Sequence, residues 1–537
     1  MTLPNKKIPD LLAVFFAAVG LIAGIILIVT SSDSGTQFRG AILALACAIS
    51  FGMLGKKYNA RGDDVIKAAV IAALVWGIAG FLVGDFLVWQ LAFPVLNFDL
   101  PWTNFGRLHF LHTSLMIFAF CGNALLASSL YALQQTCGGN LYGRFAAWFV
   151  FISYNAFIVI GGANSIMGVT TRENAEVGWY TNLWLALAWI VYLFMFFGTI
   201  GNRKEPRIHV ANWFFAVFIV TIGILHIVMN VMTPVPFLAT KIYTIFPGVK
   251  HWWHAPDGVG FLLSAGFLGT MYLFLPVRAG QAIYSRKLAI AHCLGLCLIY
   301  FIWLTPFHLR YTALPDWTQN TSMALSFLLW LLFLAGMVNG LTPLADARSK
   351  LIADPVIRFF AVAIAFIMVS VAFYDMPTLT GPLMSVKAVN SLSHYTDWTV
   401  DSHHLATLVW GVPMIFGALY CLVPWLWKRE ALYSKTLVEW HFWLSVLGVL
   451  LYVGSMWVSG RIQSLMLGAQ DNNGLLLYQF ADTIEAMHPY YIIRAVGGVE
   501  FTLGALIMAF NLWMTVAVQP VKVEDDGTAA VGNRNTR

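Results

Sequence analysis

SHYTDWTVDSHHLATLVWG, residues Ser393 to Gly411, runs from a charged and aromatic loop into an apolar helix whose start carries two adjacent imidazoles, His403 and His404. The rest of the chain decides which solvent that helix meets. Of 537 residues, 59% are hydrophobic and 10% charged, and the mean hydropathy is +0.74; this is the balance of an integral membrane protein. Apolar runs lie near 9–30, 39–54, 66–93, 110–133, 143–165, 179–200, 209–233, 255–276, 285–304, 321–342, 355–374, 401–427, 440–459 and 495–517. Most hold about 20 residues, enough to cross roughly 30 Å of hydrocarbon at about 1.5 Å per residue. Lipid leaves only helices or closed barrels, and short alternating strands are missing. The expected fold is an all-α integral membrane bundle of about 14 spans.

Basic residues set the orientation. With the N-terminus inside, 22 of the 31 Lys and Arg, among them Lys6, Lys7, Arg203, Lys204, Lys428 and Arg429, fall in inner loops and ends, as the positive-inside rule requires. The net charge of +6 then faces an anionic inner leaflet, and nucleic acid is not an expected partner. The first run is too long for a signal peptide and lacks a small-residue cleavage site, so it reads as a membrane helix. No CxxCH occurs and no zinc spacing is present, so no c-type haem is attached covalently. Cys293 and Cys297 stand one helical turn apart and read as packing residues. Asp85 is a charge inside the third span; such residues face a cavity, a partner or interfacial water.

A second imidazole, His112 in GRLHFLHTSLMIFAF, starts another apolar run. Spans four and twelve both run from outside to inside, so His112 and His404 lie at similar depth near the outer face. Two neutral imidazoles on facing helices can take both axial positions of a haem iron, a closed site suited to electron transfer. A satisfied core histidine is the alternative for each.

FDLPWTNFGRL, LHTS, IFAFCGNALLASSLY, GVGFLLSAGFLGTMY, HLRYTALPDWTQ, SVKAVNSLSHYTDWT, ALYCLVPWLW, AMHPYYIIRAVGG and LIMAFNLWM resemble the catalytic subunit of cbb3-type cytochrome c oxidases, in the haem-copper oxidase superfamily. The resemblance runs from about residue 66 to 517. It implies a twelve-helix core over 61–520, preceded by an extension of two transmembrane helices in 1–60. The polar composition of 521–537 reads as a disordered tail. The resemblance also implies that low-spin haem b is held by His112 and His404. Arg107 and Arg494 match family arginines around the haem propionates, where guanidinium suits carboxylate; snorkelling to headgroups is the alternative. His109 stands where a further Arg is usual. Glu173 and Glu176 align with acids around the family's calcium site, although loop acids are also simply solvated.

The remaining family positions depart from the pattern. Ser402 stands where the high-spin haem ligand is expected, with His403 beside it. WWHAPDGVGF puts Pro256 at the first copper ligand, with His254 two residues earlier and Asp257 beside it. The copper-ligating pair reads Phe307 and His308, the cross-linking tyrosine reads Phe301 with Tyr300 next to it, and an acid near the high-spin haem reads Thr380. Copper sites of this kind want three converging imidazoles. The chain is therefore expected to be a cytochrome b subunit that has lost the copper and high-spin haem centre. It would exchange electrons with membrane-anchored c-type cytochrome subunits in a hetero-oligomeric complex of the bacterial inner membrane. Both termini would be cytoplasmic and the haem would lie near the periplasmic side. Two other readings stay open: an oxidase or nitric oxide reductase with an altered centre, and a haem-stabilised scaffold. Glu500, in the last span where the family is apolar, suggests proton, quinone or partner-helix contact; His226, His292, His394, His441 and His488 suggest structural hydrogen bonds.

Overall fold

Each of the fourteen apolar runs overlaps a helix among the described residues of the computed structural model, which are 8–53, 62–138, 140–168, 179–226, 256–303, 315–373, 385–394, 396–518 and 520. In chain order the long helices are α1 Ile8–Thr30, α2 Ser34–Gly52, α3 Asp63–Ala92, α4 Phe105–Cys137, α5 Arg144–Met167, α6 Trp179–Gly201 and α7 Val210–His226. They continue with α8 Pro256–Ala279, α9 Arg286–Trp303, α10 Asp316–Asp346, α11 Pro355–Phe373, α12 at 397–426, α13 Lys435–Gly468 and α14 Phe480–Val518. Among the described residues nine helices are long and apolar enough to cross a membrane, and α7, α8 and α11 contain shorter apolar ones. No named strand occurs among them; Gln470 and Leu476 form an isolated bridge. Contacts sort the chain into two compact units, one of 1–80, 101–250 and 526–537, the other of 81–100 and 251–525.

In the first unit α1 and α2 form a hairpin. The Asp33 carboxylate caps α2 by accepting from the Thr36 and Gly35 amides at 2.7 and 3.3 Å, which satisfies donors a helix start leaves open. The pair closes backbone to backbone: a Cβ at Gly24 would stand 2.7 Å from the Gly40 carbonyl oxygen, the small-residue contact by which helices approach in lipid. The hairpin packs on α5 and α6. At α5 the N-cap is Gly143, with no side chain to give; Asp10 of α1 supplies the acceptor instead, its Oδ1 taking the Ala146 amide at 2.9 Å. Inside, Asn123 and Asn155 exchange amide hydrogen bonds of 2.9 and 3.2 Å, and the Trp76 indole donates to Asn155 at 3.0 Å.

The second unit is built around α12 and the antiparallel pair α13 and α14. Gly448 and Gly497 let those two backbones touch, a Cβ on either meeting the other's carbonyl oxygen at 2.6 Å. Ion pairs Arg278–Asp354 and Arg358–Glu439, both 2.6 Å, tie helix ends together. The apolar runs placed the last two spans at 440–459 and 495–517, whereas the helices extend over 435–468 and 480–518. Hydropathy marks the greasy length; the i to i−4 ladder continues through polar turns beyond it.

α4 and α12 share a further feature. Each changes register part-way: Leu115–Gly122 of α4 and Leu405–Gly411 of α12 are π-helical. In the first, the Tyr154 hydroxyl donates to the Phe118 carbonyl at 2.7 Å, and Gly122 is needed because a Cβ there would collide with that hydroxyl. Such bulges concentrate at functional sites.

Candidate haem-ligand sites

His112 lies at the end of the first α segment of α4, three residues before the π turn. Its Nδ1 is 2.9 Å from the Gly80 carbonyl oxygen of α3. A carbonyl only accepts, so Nδ1 carries the proton and Nε2 the lone pair, the state a metal-ligating imidazole needs. On the same helix Arg107 donates through Nη1 to the Ile166 carbonyl at 3.1 Å; its guanidinium packs against Gly168, whose φ of 71° ends α5. His109 stacks on Phe105 at 6.0 Å between centroids.

In the second unit His404 repeats the pattern. It is the last residue before the π turn of α12, and its Nδ1 is 2.9 Å from the carbonyl oxygen of Val400, one turn earlier. The same tautomer follows. The His404 ring lies 5.1 Å from that of Tyr452 on α13, and the Arg494 guanidinium of α14 sits 5.0 Å from the centroid of the same ring. Val88, Met456 and Ala495 bury Tyr452, and Arg494 is only 7% exposed. Asp397, whose Oδ2 accepts from Ser459 at 2.7 Å, is an electrostatic neighbour of Arg494. His404 and Arg494 are thus joined through one ring. Tyr452 was invisible to sequence reasoning, since one tyrosine in a long apolar run has no spacing to mark it, and neither π turn has a compositional signature.

Of the positions expected to have held the reducing centre, Ser402 and His403 lie in the first turns of α12, Pro256 opens α8 and Phe301 lies near the end of α9. His254, Phe307, His308, Thr380, Glu173 and Glu176 fall outside the described residues. Structural hydrogen bonds are found at His226, to the Asn182 carbonyl, and at His488, to that of Ala92, both 2.9 Å. Asp85 receives a hydrogen bond from the Thr502 side chain.

The family described as Cytochrome C and Quinol oxidase polypeptide I matches residues 64–500. This chain belongs to that family. It is 48% identical over 533 residues to the cytochrome c oxidase subunit 1 homolog, bacteroid, of Bradyrhizobium diazoefficiens, covering 96% of this chain and 95% of that one. To the cbb3-type cytochrome c oxidase subunit CcoN1 of Stutzerimonas stutzeri it is 44% identical over 472 residues, covering 87% and 98%. A solved haem-copper terminal oxidase dimer superposes with a TM-score of 0.66 at 15% identity, covering 88% of this chain and 86% of that one, which shows a shared fold. The chain is therefore a multi-pass membrane protein homologous to subunit I of cytochrome c oxidases.

Proposed function

We propose that this chain is the cytochrome b subunit of a cbb3-oxidase-like complex, in which His112 and His404 would hold one low-spin haem b. The observation that carries this is the repeated second sphere: at both histidines Nδ1 donates to a backbone carbonyl at 2.9 Å next to a π turn. The donor set fits a haem iron, and the haem would supply one-electron transfer. The protein's part is to fix both imidazole tautomers and, through Arg494, to put a cation beside the His404 column. The electrons would pass to or from a membrane-anchored c-type cytochrome at the periplasmic side of a bacterial inner membrane, both termini being cytoplasmic. Ser402, Pro256 and Phe307 support the further reading that oxygen is not reduced here, because none of them offers imidazole to iron or copper.

A second reading, an oxidase or nitric oxide reductase with an altered centre, is favoured by the identity to proteins named as cytochrome c oxidase subunits. Haem and copper counts on the purified complex, with a carbon monoxide difference spectrum, separate the two. One haem b, no copper and no carbon monoxide shift is the expected result; two haems with a reactive species overturns it. His404→Ala then distinguishes a carrier from a scaffold, since a carrier loses electron flux while the complex still assembles.

A further inference from the structure

Three buried polar atoms on α13 and α14 have no protein partner: His441 Nε2, Ser445 Oγ and Glu500 Oε2. His441 is fully buried and Ser445 is 6% exposed. His441 and Ser445 stand one turn apart on α13, and Glu500 and Gly504 one turn apart on α14. A Cβ at Gly504 would be 3.1 Å from Ser445 Oγ and 3.2 Å from His441 Cδ2. The glycine therefore lets α14 close tightly on those two polar groups.

One end of the seam is already hydrogen-bonded. His441 Nδ1 is 2.9 Å from the Tyr420 hydroxyl, which also bonds Asn511. Asn511 in turn accepts from the Ser434 amide at 3.0 Å and donates to the Ser434 carbonyl at 2.9 Å. Next to it Thr515 accepts from the Tyr433 amide at 2.9 Å. Ser434 belongs to the turn before α13, where Tyr433 and Lys435 flank it. Glu500 lies near the middle of the 39-residue α14. Leaving polar atoms dry in apolar surroundings is destabilising, and buried polar groups without protein partners are commonly met by ordered water, each water needing two to four such groups.

We propose that the α13–α14 seam binds a file of exchangeable water that links Glu500, through Ser445, His441, Tyr420 and Asn511, to the aqueous phase at the Lys435 end. Its ligand is water, and its terminus is a carboxyl in the middle of a span. Radiolytic hydroxyl labelling of the intact complex tests this, because radicals form at bound water and mark the side chains beside it. His441 and Tyr420 are labelled although both are fully buried, and oxygen-18 appears in the His441 product after brief mixing with labelled water. Ser445→Ala and Glu500→Leu each reduce His441 labelling to background, whereas Glu500→Gln, which keeps the hydrogen-bonding groups, retains it. Labelling of surface residues reports that each variant is folded. An unlabelled His441 in the wild-type complex overturns the proposal, as does labelling that persists in both Ser445→Ala and Glu500→Leu. So does His441 labelling without uptake of oxygen-18, which means trapped water and no route to the surface.

Discussion

Gly122 and Tyr154 make the sharpest test of why α4 leaves α-helical register. The Tyr154 hydroxyl donates to the Phe118 carbonyl at 2.7 Å, so Tyr154→Phe leaves a buried carbonyl unmet and costs about 1–3 kcal/mol. At Gly122 an added methyl collides with that hydroxyl and comes to 2.9 Å from Cζ and 3.1 Å from Cε1 of the same ring. Overpacking of this kind costs about 1–3 kcal/mol, offset by about 1 kcal/mol because Ala is the better helix former. Gly122→Ala alone is therefore neutral to destabilising by about 2 kcal/mol. In the Tyr154→Phe background the hydroxyl is gone and only the flat ring edge remains, so the same methyl costs less. The double-mutant cycle should show a coupling of about 1 kcal/mol, with the pair less harmful than the sum of its parts. Reversible unfolding in mixed detergent micelles, followed by far-ultraviolet circular dichroism on all four proteins, gives the cycle. If the two substitutions add to within about 0.5 kcal/mol, as independent sites do, the hydroxyl does not set the space at Gly122 and the account of the π turn is wrong.

Three further outcomes are expected. Arg494→Gln removes a buried cation from the Tyr452 column, and since a cation favours the reduced state of a neighbouring haem, the midpoint potential falls; an unchanged potential in a redox titration separates Arg494 from the haem. Asp10→Ala deprives α5 of its cap and costs about 0.5–2 kcal/mol, whereas Asp10→Asn keeps an acceptor and most of the stability, with amide exchange at Ala146 as the direct readout. The Asp471 carboxylate is held below its ordinary value of 3.8, first by the Leu475 amide and then by that of Asn473. A lowered folded value means the turn's support is complete above the ordinary value and is lost as pH falls through the lowered one. Exchange of those two amides should therefore lose protection only in strong acid, and an Asp471→Asn turn should show no such step.

The helices were legible because a run of about 20 apolar residues has few other uses, and every run overlaps a helix among the described residues. Their ends were not: the first turns of α14, FADTIEAMHPYYII, read as loop because polar and apolar residues mix there, yet the backbone stays helical across Pro489. The two histidines were legible as candidates from their place at the start of apolar runs. What orients them was not, because the Gly80 and Val400 carbonyls are backbone atoms that every residue carries. Glu500 and His441 could each be seen as polar residues in greasy spans, but only the antiparallel pairing of α13 with α14 brings His441 and Ser445 to Gly504, one turn from Glu500. Asp10 is an acid in the first turn of α1, and its role depends on a glycine N-cap far along the chain.

That last contact has a consequence for biogenesis. Asp10 and the amide it accepts from are 136 residues apart, and at about 5–20 residues per second of synthesis roughly 7–27 s separate the making of the two. During that interval the α1–α2 hairpin must persist in the membrane on its own glycine contact, and in a nascent chain stalled before Gly143 Asp10 should react faster with carboxyl-directed reagents than in the finished protein, where it is half-buried.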